Sequence, residues 1–343
     1  MSDSDLEVLV LGAGGRGLTA ALQFAAAATT PRASAAALAG ASSAAPTPQP
    51  PAGPGRLLVV DAAPAPGGAI RTQRTNGYVC ELGPFAFAPA DLAPLLAALS
   101  QAPTPLPCLP AARRGWLRTP AGNLPVPVDP EPLTFRTGNE ELPQACRRAL
   151  GPALRLGRAV TAIAPVAGGF RVTLGGEALT DLTSRTLHVA LPAAAAGALL
   201  GAFDPALPDV AGRIATAPGA FAFLGGDAAS TAGFTGYGVL AAADLPGPVR
   251  EAICCSHVFA GRALAGRCLW RVEIAGPAAA DADDEAVLAL AERTLADWTG
   301  IAPTFGLRKL HRFATPVADG ALVEAEARLR ELSRRGPGLV VHV

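Results

Sequence analysis

Aromatic side chains are scarce in this sequence: three Trp, two Tyr and twelve Phe among 343 residues. Half of the residues are hydrophobic, but much of that share is Ala, so the apolar total overstates the bulk available to a core. An excess of one charge is also missing, since 28 Lys and Arg balance 28 Asp and Glu. The pairs Arg113-Arg114, Arg147-Arg148 and Arg334-Arg335 lie far apart without interleaved aromatics, which argues against a nucleic-acid partner. Long apolar runs are absent too. Gly, Pro or a charge interrupts each of them before the ~18 to 20 residues that a membrane span requires, so the expected chain is soluble or attached at most to a membrane surface.

Cysteine and histidine are few and poorly spaced for metal. Cys80, Cys108, Cys146, Cys254, Cys255 and Cys268 show no Cys-x-x-Cys spacing and no nearby His to complete a zinc site, so reduced thiols and no metal are expected. His188, His257, His311 and His342 are scattered and form no nucleophile, base and acid set with Ser or Cys. Met1 to Glu7 is acidic and runs into a glycine motif without a small-residue cleavage site, which reads as a strand and not a signal peptide.

What is present begins at Leu6 to Leu11, a short apolar run followed at once by glycines, as in a buried parallel strand. Leu18 and Leu22 then stand one helical turn apart. Residues 29 to 55 are nearly all Ala, Ser, Thr, Pro and Gly, and are expected to be a disordered insertion. Arg56 to Asp61 is a second buried strand ending in a carboxylate. Residues 101 to 132 read as extended chain with one hairpin around Pro120-Ala121-Gly122-Asn123. A short helix is expected over 140 to 150, and strands at 159 to 163, 170 to 174 and 187 to 191. A small Ala/Leu helix follows Pro192, and strand-like runs between 215 and 275 predict a second, mostly antiparallel sheet. Asp283 and Asp284 cap a helix carrying Val287, Leu288, Ala291, Leu295 and Trp298, and Leu322, Ala325, Leu329 and Leu332 mark a last helix before a strand at 338 to 343.

Chemistry is concentrated near the start. In Gly12-Ala13-Gly14-Gly15-Arg16-Gly17, Gly12 permits a tight turn, Gly14 admits a pyrophosphate to the backbone, and Gly17 allows close packing of helix on strand. Asp61, ending the second strand, can accept hydrogen bonds from ribose hydroxyls. The order of strand, glycines, helix, strand and acid separates this motif from a glycine-rich surface loop, the other reading in a chain with 38 glycines. Gly67-Gly68-Ala69-Ile70-Arg71 follows Asp61, giving a second close backbone approach and a guanidinium near phosphate or flavin, a pairing that favours FAD over NAD. After a turn at Asn76-Gly77, Glu81-Leu82-Gly83-Pro84 either lines the flavin pocket with backbone groups or is an ordinary Gly-Pro turn.

These stretches together resemble the monoamine-oxidase-like flavoproteins, and within them most closely the oxygen-dependent protoporphyrinogen oxidases. Gly138-Asn139-Glu140-Glu141-Leu142-Pro143, Ala190-Leu191-Pro192, Gly236-Tyr237-Gly238-Val239-Leu240, Ile253 to Phe259 and Gly261-Arg262 extend the resemblance over most of the chain outside the insertion. The resemblance implies an α/β fold: a Rossmann-like FAD-binding domain of glutathione-reductase type (1–90, 138–205 and 321–343) and a mostly antiparallel α+β substrate domain (91–137 and 206–320). It implies FAD contacts by Gly12, Ala13, Gly14, Gly15, Arg16, Gly17, Asp61, Gly67, Gly68, Ala69, Arg71, Gly83, Pro84, Phe85, Ala86 and the backbone of Val160. The implied reaction is oxidation of protoporphyrinogen IX by oxygen, in the mitochondrial inner membrane periphery of a eukaryote or otherwise in the cytoplasm.

Two departures from the family stand out. Only about twenty residues separate Trp116 from Gly138, where the family carries a long helical domain that roofs the substrate and meets the membrane. The glycine-containing strand and helix that close the family's flavin site would fall beyond Val343. The arginine expected to hold a substrate propionate falls on Gly115, leaving Arg114 as the nearest cation, either a carboxylate clamp or a solvated loop residue. Other expectations therefore stay open: a related carotenoid desaturase or amine oxidase, or a non-catalytic truncated paralogue.

Overall fold

Leu6–Leu11 and Leu57–Asp61 are apolar along nearly their whole length and buried on both sides, as strands of a parallel sheet with two covered faces must be. In the computed structural model of the chain, which describes residues 6–29, 57–128, 131–176, 179–301 and 304–343, these two strands pair in parallel from Val8↔Leu57 to Leu11↔Val60. Thr180–Val189 flanks Leu6–Leu11 on its other side, Leu154–Leu156 lies outside Leu57–Asp61, and Leu339–Val341 lies outside Thr180–Val189, all in parallel. The first half of Thr180–Val189 also pairs antiparallel with Gly169–Leu174, which continues to Val160–Val166, so seven strands share one sheet.

Alternation along Leu6–Leu11 sends side chains to opposite faces. Val8 and Val10 pack with Leu18, Ala21 and Leu22 of helix Gly15–Thr29, with Leu92 and Leu95 of Pro89–Ala97, and with Leu142 and Cys146 of Glu141–Leu150. Leu9 and Leu11 pack with Ala196 of Ala193–Leu199, Leu207 of Leu207–Gly212, and Leu329 and Leu332 of Gly320–Arg335. The result is a three-layer Rossmann-like arrangement.

The second sheet also has seven strands, in the order Phe305–Pro316, Thr216–Asp227, Arg267–Ala275, Val249–Cys254, Gly238–Ala241, Arg114–Thr119 and Gly122–Pro127. Every neighbouring pair is antiparallel except Gly238–Ala241 with Arg114–Thr119. One face, with Ala220, Ala222, Leu224, Trp270 and Val272, buries the apolar stripe of helix Asp284–Thr299. That helix begins where the Asp283 carboxylate accepts from Ala286 N–H at 2.7 Å and ends on Gly300 at φ 70°. The opposite face, with Phe221, Phe223, Ile253 and Leu269, packs against Tyr78, Cys80 and Phe85 of the chain that leaves the first sheet. Tyr78 and Cys80 belong to a hairpin, Thr72–Thr75 with Tyr78–Glu81, turned by Asn76 at φ 49° and Gly77 at φ 81°.

The α/β fold class, with its second, mostly antiparallel sheet, is as the residues imply. The helix over 140–150, the hairpin at 120–123, the strand over 338–343 and the capped helix at 283–284 all form. The strand expected at 187–191 is longer and earlier, Thr180–Val189. Helix Pro89–Ala97 and Phe135, which the expected division places on both sides of its first boundary or beyond it, pack in one cluster on the first sheet. All but the first residue of the insertion expected over 29–55 lies outside the described residues. No described helix is long and apolar enough to cross a membrane.

Candidate functional site

The glycine motif sits at the carboxyl ends of the parallel strands, the place where open α/β sheets form their crevice. Gly12 N–H donates to Val60 O (2.8 Å) and Ala13 N–H to Asp61 Oδ2 (2.6 Å), while Asp61 Oδ1 accepts from Ala63 N–H (2.7 Å). Each Asp61 oxygen retains a lone pair for a further donor. A Cβ on Gly17 would stand 1.9 Å from Gly12 O, and one on Gly12, at φ 97°, 2.4 Å from Ala190 O. Around Gly14 the opposite holds, with nothing within 4 Å of a Cβ. Helix Gly15–Thr29 takes its first ladder bond from Leu18 N–H to Gly14 O (3.0 Å) and has no acidic residue in its first turn. The N–H groups ahead of that bond lack an intrahelical acceptor, so an open, positive cradle lies beside an available carboxylate. These features fit the ADP half of a dinucleotide.

A second glycine loop is tied to the first. Gly67 N–H donates to Ala13 O (2.7 Å), and Gly14 and Gly67 form a parallel bridge. Arg71, expected near phosphate or flavin, braces its own loop, donating to Gly68 O (3.1 Å) and Ala65 O (3.3 Å). Leu82 N–H bonds Arg71 O (2.8 Å), and a Cβ on Gly83 would lie 1.8 Å from Ala69 O, which brings 67–71 and 82–85 into contact. Val160 starts a strand two residues after Arg158, whose N–H donates to Asp61 O (2.9 Å), so it is near the same crevice end. Arg16 reaches His342 O (3.3 Å), at the edge of a cavity of about 440 Å³ that Gly15, Thr19, Ile70 and Leu142 also line.

Behind 83–85 lies a buried polar cluster that the motifs do not announce. Glu81 and Arg262, each 1% exposed, pair at 2.8 Å. Glu81 also accepts from Thr72 Oγ1 (2.7 Å) and Asn139 N–H (3.0 Å). Burial pushes the Glu81 carboxyl pKa up, while Arg262 and these donors pull it down. Arg262 further donates to Thr134 Oγ1, and Arg271 to Gly83 O (2.9 Å) and Glu251 (2.8 Å). The Arg271 guanidinium lies 5.1 Å from the Phe85 ring centre and 4.4 Å from that of Phe221.

On the second sheet's face toward this cluster, cross-strand register places His311, Phe221, Glu273 and Glu251 in one row, and Lys309, Phe223, Arg271 and Ile253 in the next. Burial and the neighbouring Glu251 push the Glu273 carboxyl pKa up, against Arg271 and Arg250. Beside this face a cavity of about 270 Å³ is lined by Phe85, Ala86, Phe87, Ala88, Pro132 and Tyr237. Arg114 shares a strand side with Trp116 and Arg118, which pack toward helix Asp284–Thr299, so strand alternation places it on the other face of this sheet. In the sequence the signal for Arg271 and Glu273 is two charges at alternating positions of the apolar, strand-like run Leu269 to Ile274. The six cysteines are free and buried, and no group of three metal-ligating side chains exists among the described residues.

No known family profile matches the sequence. Among solved structures, a protein from Exiguobacterium sp. 255-15 named provisionally as a protoporphyrinogen oxidase superposes with a TM-score of 0.73 at 14% identity, over 99% of this chain and 94% of that one. Reduced UDP-galactopyranose mutase gives 0.69 at 10% identity over 98% and 87%. Cyclohexylamine oxidase from Brevibacterium oxydans IH-35A gives 0.66 at 14% identity over 98% and 92%. At these identities the likeness establishes the shared fold.

Proposed function

We propose that this chain binds FAD and is an oxidoreductase that oxidises a small molecule with oxygen as acceptor. The observation that carries this reading is the bond from Gly67 N–H to Ala13 O, which joins two glycine loops into one cradle running from the Asp61 end toward the second sheet. Gly12 to Gly17 and Asp61 would hold the ADP half, and Gly67, Gly68 and the backbone of Gly83 to Ala86 the flavin half. When bound, FAD supplies the hydride acceptor. The protein's own share is to position the donor carbon against it and to exclude water, and the aromatic face with Phe221, Phe223, Phe85 and Tyr237 suits an apolar substrate.

For the substrate, our reading is protoporphyrinogen IX, supported by the resemblance of the glycine, Glu81-Leu82-Gly83-Pro84 and Gly236 to Leu240 stretches and by the fold shared with the Exiguobacterium protein. Peripheral contact with a membrane belongs to the same reading. One observation favours a second, an amine substrate. Glu251 and Glu273 face each other across neighbouring strands, and only Glu251 is paired with Arg271, so a carboxylate remains for a cation.

The test is an FAD titration of the purified protein followed by anaerobic mixing. Saturable uptake of FAD and bleaching by protoporphyrinogen IX is the expected result. Bleaching by alkylamines alone selects the second reading. A protein that takes up no FAD refutes both and leaves a non-catalytic shell.

A further inference from the structure

Two successive carbonyls, Pro84 O and Phe85 O, accept from one side-chain nitrogen, Asn139 Nδ2, at 2.8 and 3.1 Å. Asn139 is fully buried, and every other polar group on it is engaged in holding it there. Its Oδ1 accepts from Thr134 Oγ1 (2.7 Å), Thr134 accepts from Arg262, and its N–H donates to Glu81 (3.0 Å). The preceding carbonyl, Gly83 O, is held by Arg271. Three peptide planes in a row are thus fixed by side chains 54 or more residues away.

In a planar trans peptide the N–H points opposite to the carbonyl of the same unit. Anchoring Pro84 O and Phe85 O on Asn139 therefore turns Phe85 N–H and Ala86 N–H away from the buried cluster. Neither has a hydrogen-bond acceptor among the described residues, and both residues line the 270 Å³ cavity. Backbone donors at a partly buried position ordinarily find a partner.

We propose that Asn139 is a positioning residue for the cofactor: it aims the N–H groups of Phe85 and Ala86 as a pair of donors to the flavin half of FAD. This rests on the FAD reading above. Donors aimed at a group that gains negative charge favour its reduced form, so Asn139 would set reduction potential as well as affinity.

The test compares wild type with Asn139→Asp, which keeps the acceptor and removes the donor, and with Asn139→Ala. Amide hydrogen exchange resolved to 83–88 and FAD titration are the first readouts. FAD is expected to slow exchange at Phe85 and Ala86 at least tenfold in the wild type and far less in the variants, with FAD affinity at least tenfold weaker in them. If reduced flavin loses tenfold more affinity than oxidised flavin, the two-electron potential falls by about 30 mV. Variants that match wild type in affinity, potential and protection overturn the inference. Should both variants unfold, wild-type exchange alone decides, and no slowing at Phe85 and Ala86 on adding FAD overturns it. A wild type that takes up no FAD removes the cofactor reading itself, a result distinct from FAD uptake equal in all three proteins.

Discussion

At the end of strand Leu6–Leu11, backbone donors stay open because nothing but backbone is there: Gly12 and Gly17 leave no room for a side chain, Gly14 faces empty space, and one carboxylate, Asp61, pins the turn. Behind Gly83 to Phe85 the donors stay open for a different reason, since Asn139, Arg271 and, through them, Arg262 and Glu81 grip the carbonyls from behind. The first region depends on close contact of backbone with backbone, Gly17 on Gly12 and Gly12 on Ala190. The second depends on buried charges brought together from distant parts of the chain. Loss of one side chain should therefore cost the second region most, and gain of one methyl should cost the first.

The largest effect expected is that of Arg262→Met. It leaves Glu81 buried without its cation, and breaking such a pair costs about 3 to 5 kcal/mol. Urea unfolding measures this, and adding Glu81→Leu should recover most of the loss; a double variant as unstable as the single one would show that the cluster's hydrogen bonds, not its charges, hold it. Next comes Gly17→Ala, whose methyl meets Gly12 O at 1.9 Å from backbone that cannot retreat, at about 1 to 3 kcal/mol for overpacking. Gly14→Ala is its control. With open space around it, that variant should hold stability within about 1 kcal/mol of wild type yet weaken FAD binding tenfold or more. Equal stability losses for the two glycines would break the steric account of the turn.

The same contrast explains what could be read in the sequence. Gly17 against Gly12 and the Asn76-Gly77 turn act through neighbours a few positions away, so their spacing already states their geometry, while the contact of Gly12 with Ala190 O lies beyond any local pattern. Leu6–Leu11 and Leu57–Asp61 are equally plain, because burial on both faces leaves an unbroken apolar run, whereas Thr180–Val189, with polar residues among its buried ones, shows only its last residues. Glu81 and Arg262 are 181 residues apart, and no local pattern pairs them. Arg71 has a role that charge alone does not state, since its guanidinium also braces the carbonyls of its own loop. Helix Pro89–Ala97 is masked in the sequence because Pro94 reads as a break, although Pro89 supplies a helix start. Phe305–Pro316 is masked because an edge strand with mixed exposure shows no clean alternation.

The smallest expected effect concerns a side-chain pair set on the backbone-built edge. His188 Nδ1 and His342 Nε2 are 3.0 Å apart on stacked rings, and His342 O accepts from Arg16. Burial lowers the pKa of both imidazoles, with His342 adding to the effect on His188 and Arg16 to that on His342. Their folded values thus lie below the ordinary 6.5, so the unfolded chain binds more protons as pH falls through that value. Stability contributed by the pair is present above pH 6.5 and lost below it as the folded values are approached. The urea midpoint should fall between pH 7 and 5.5, and His188→Gln with His342→Gln should flatten part of that slope. His257 and His311, which burial also lowers, contribute in the same direction. If the nucleotide edge is held by backbone alone, the double variant binds FAD as wild type does at pH 7.5, and a tenfold weaker affinity would mean that the edge leans on side chains after all.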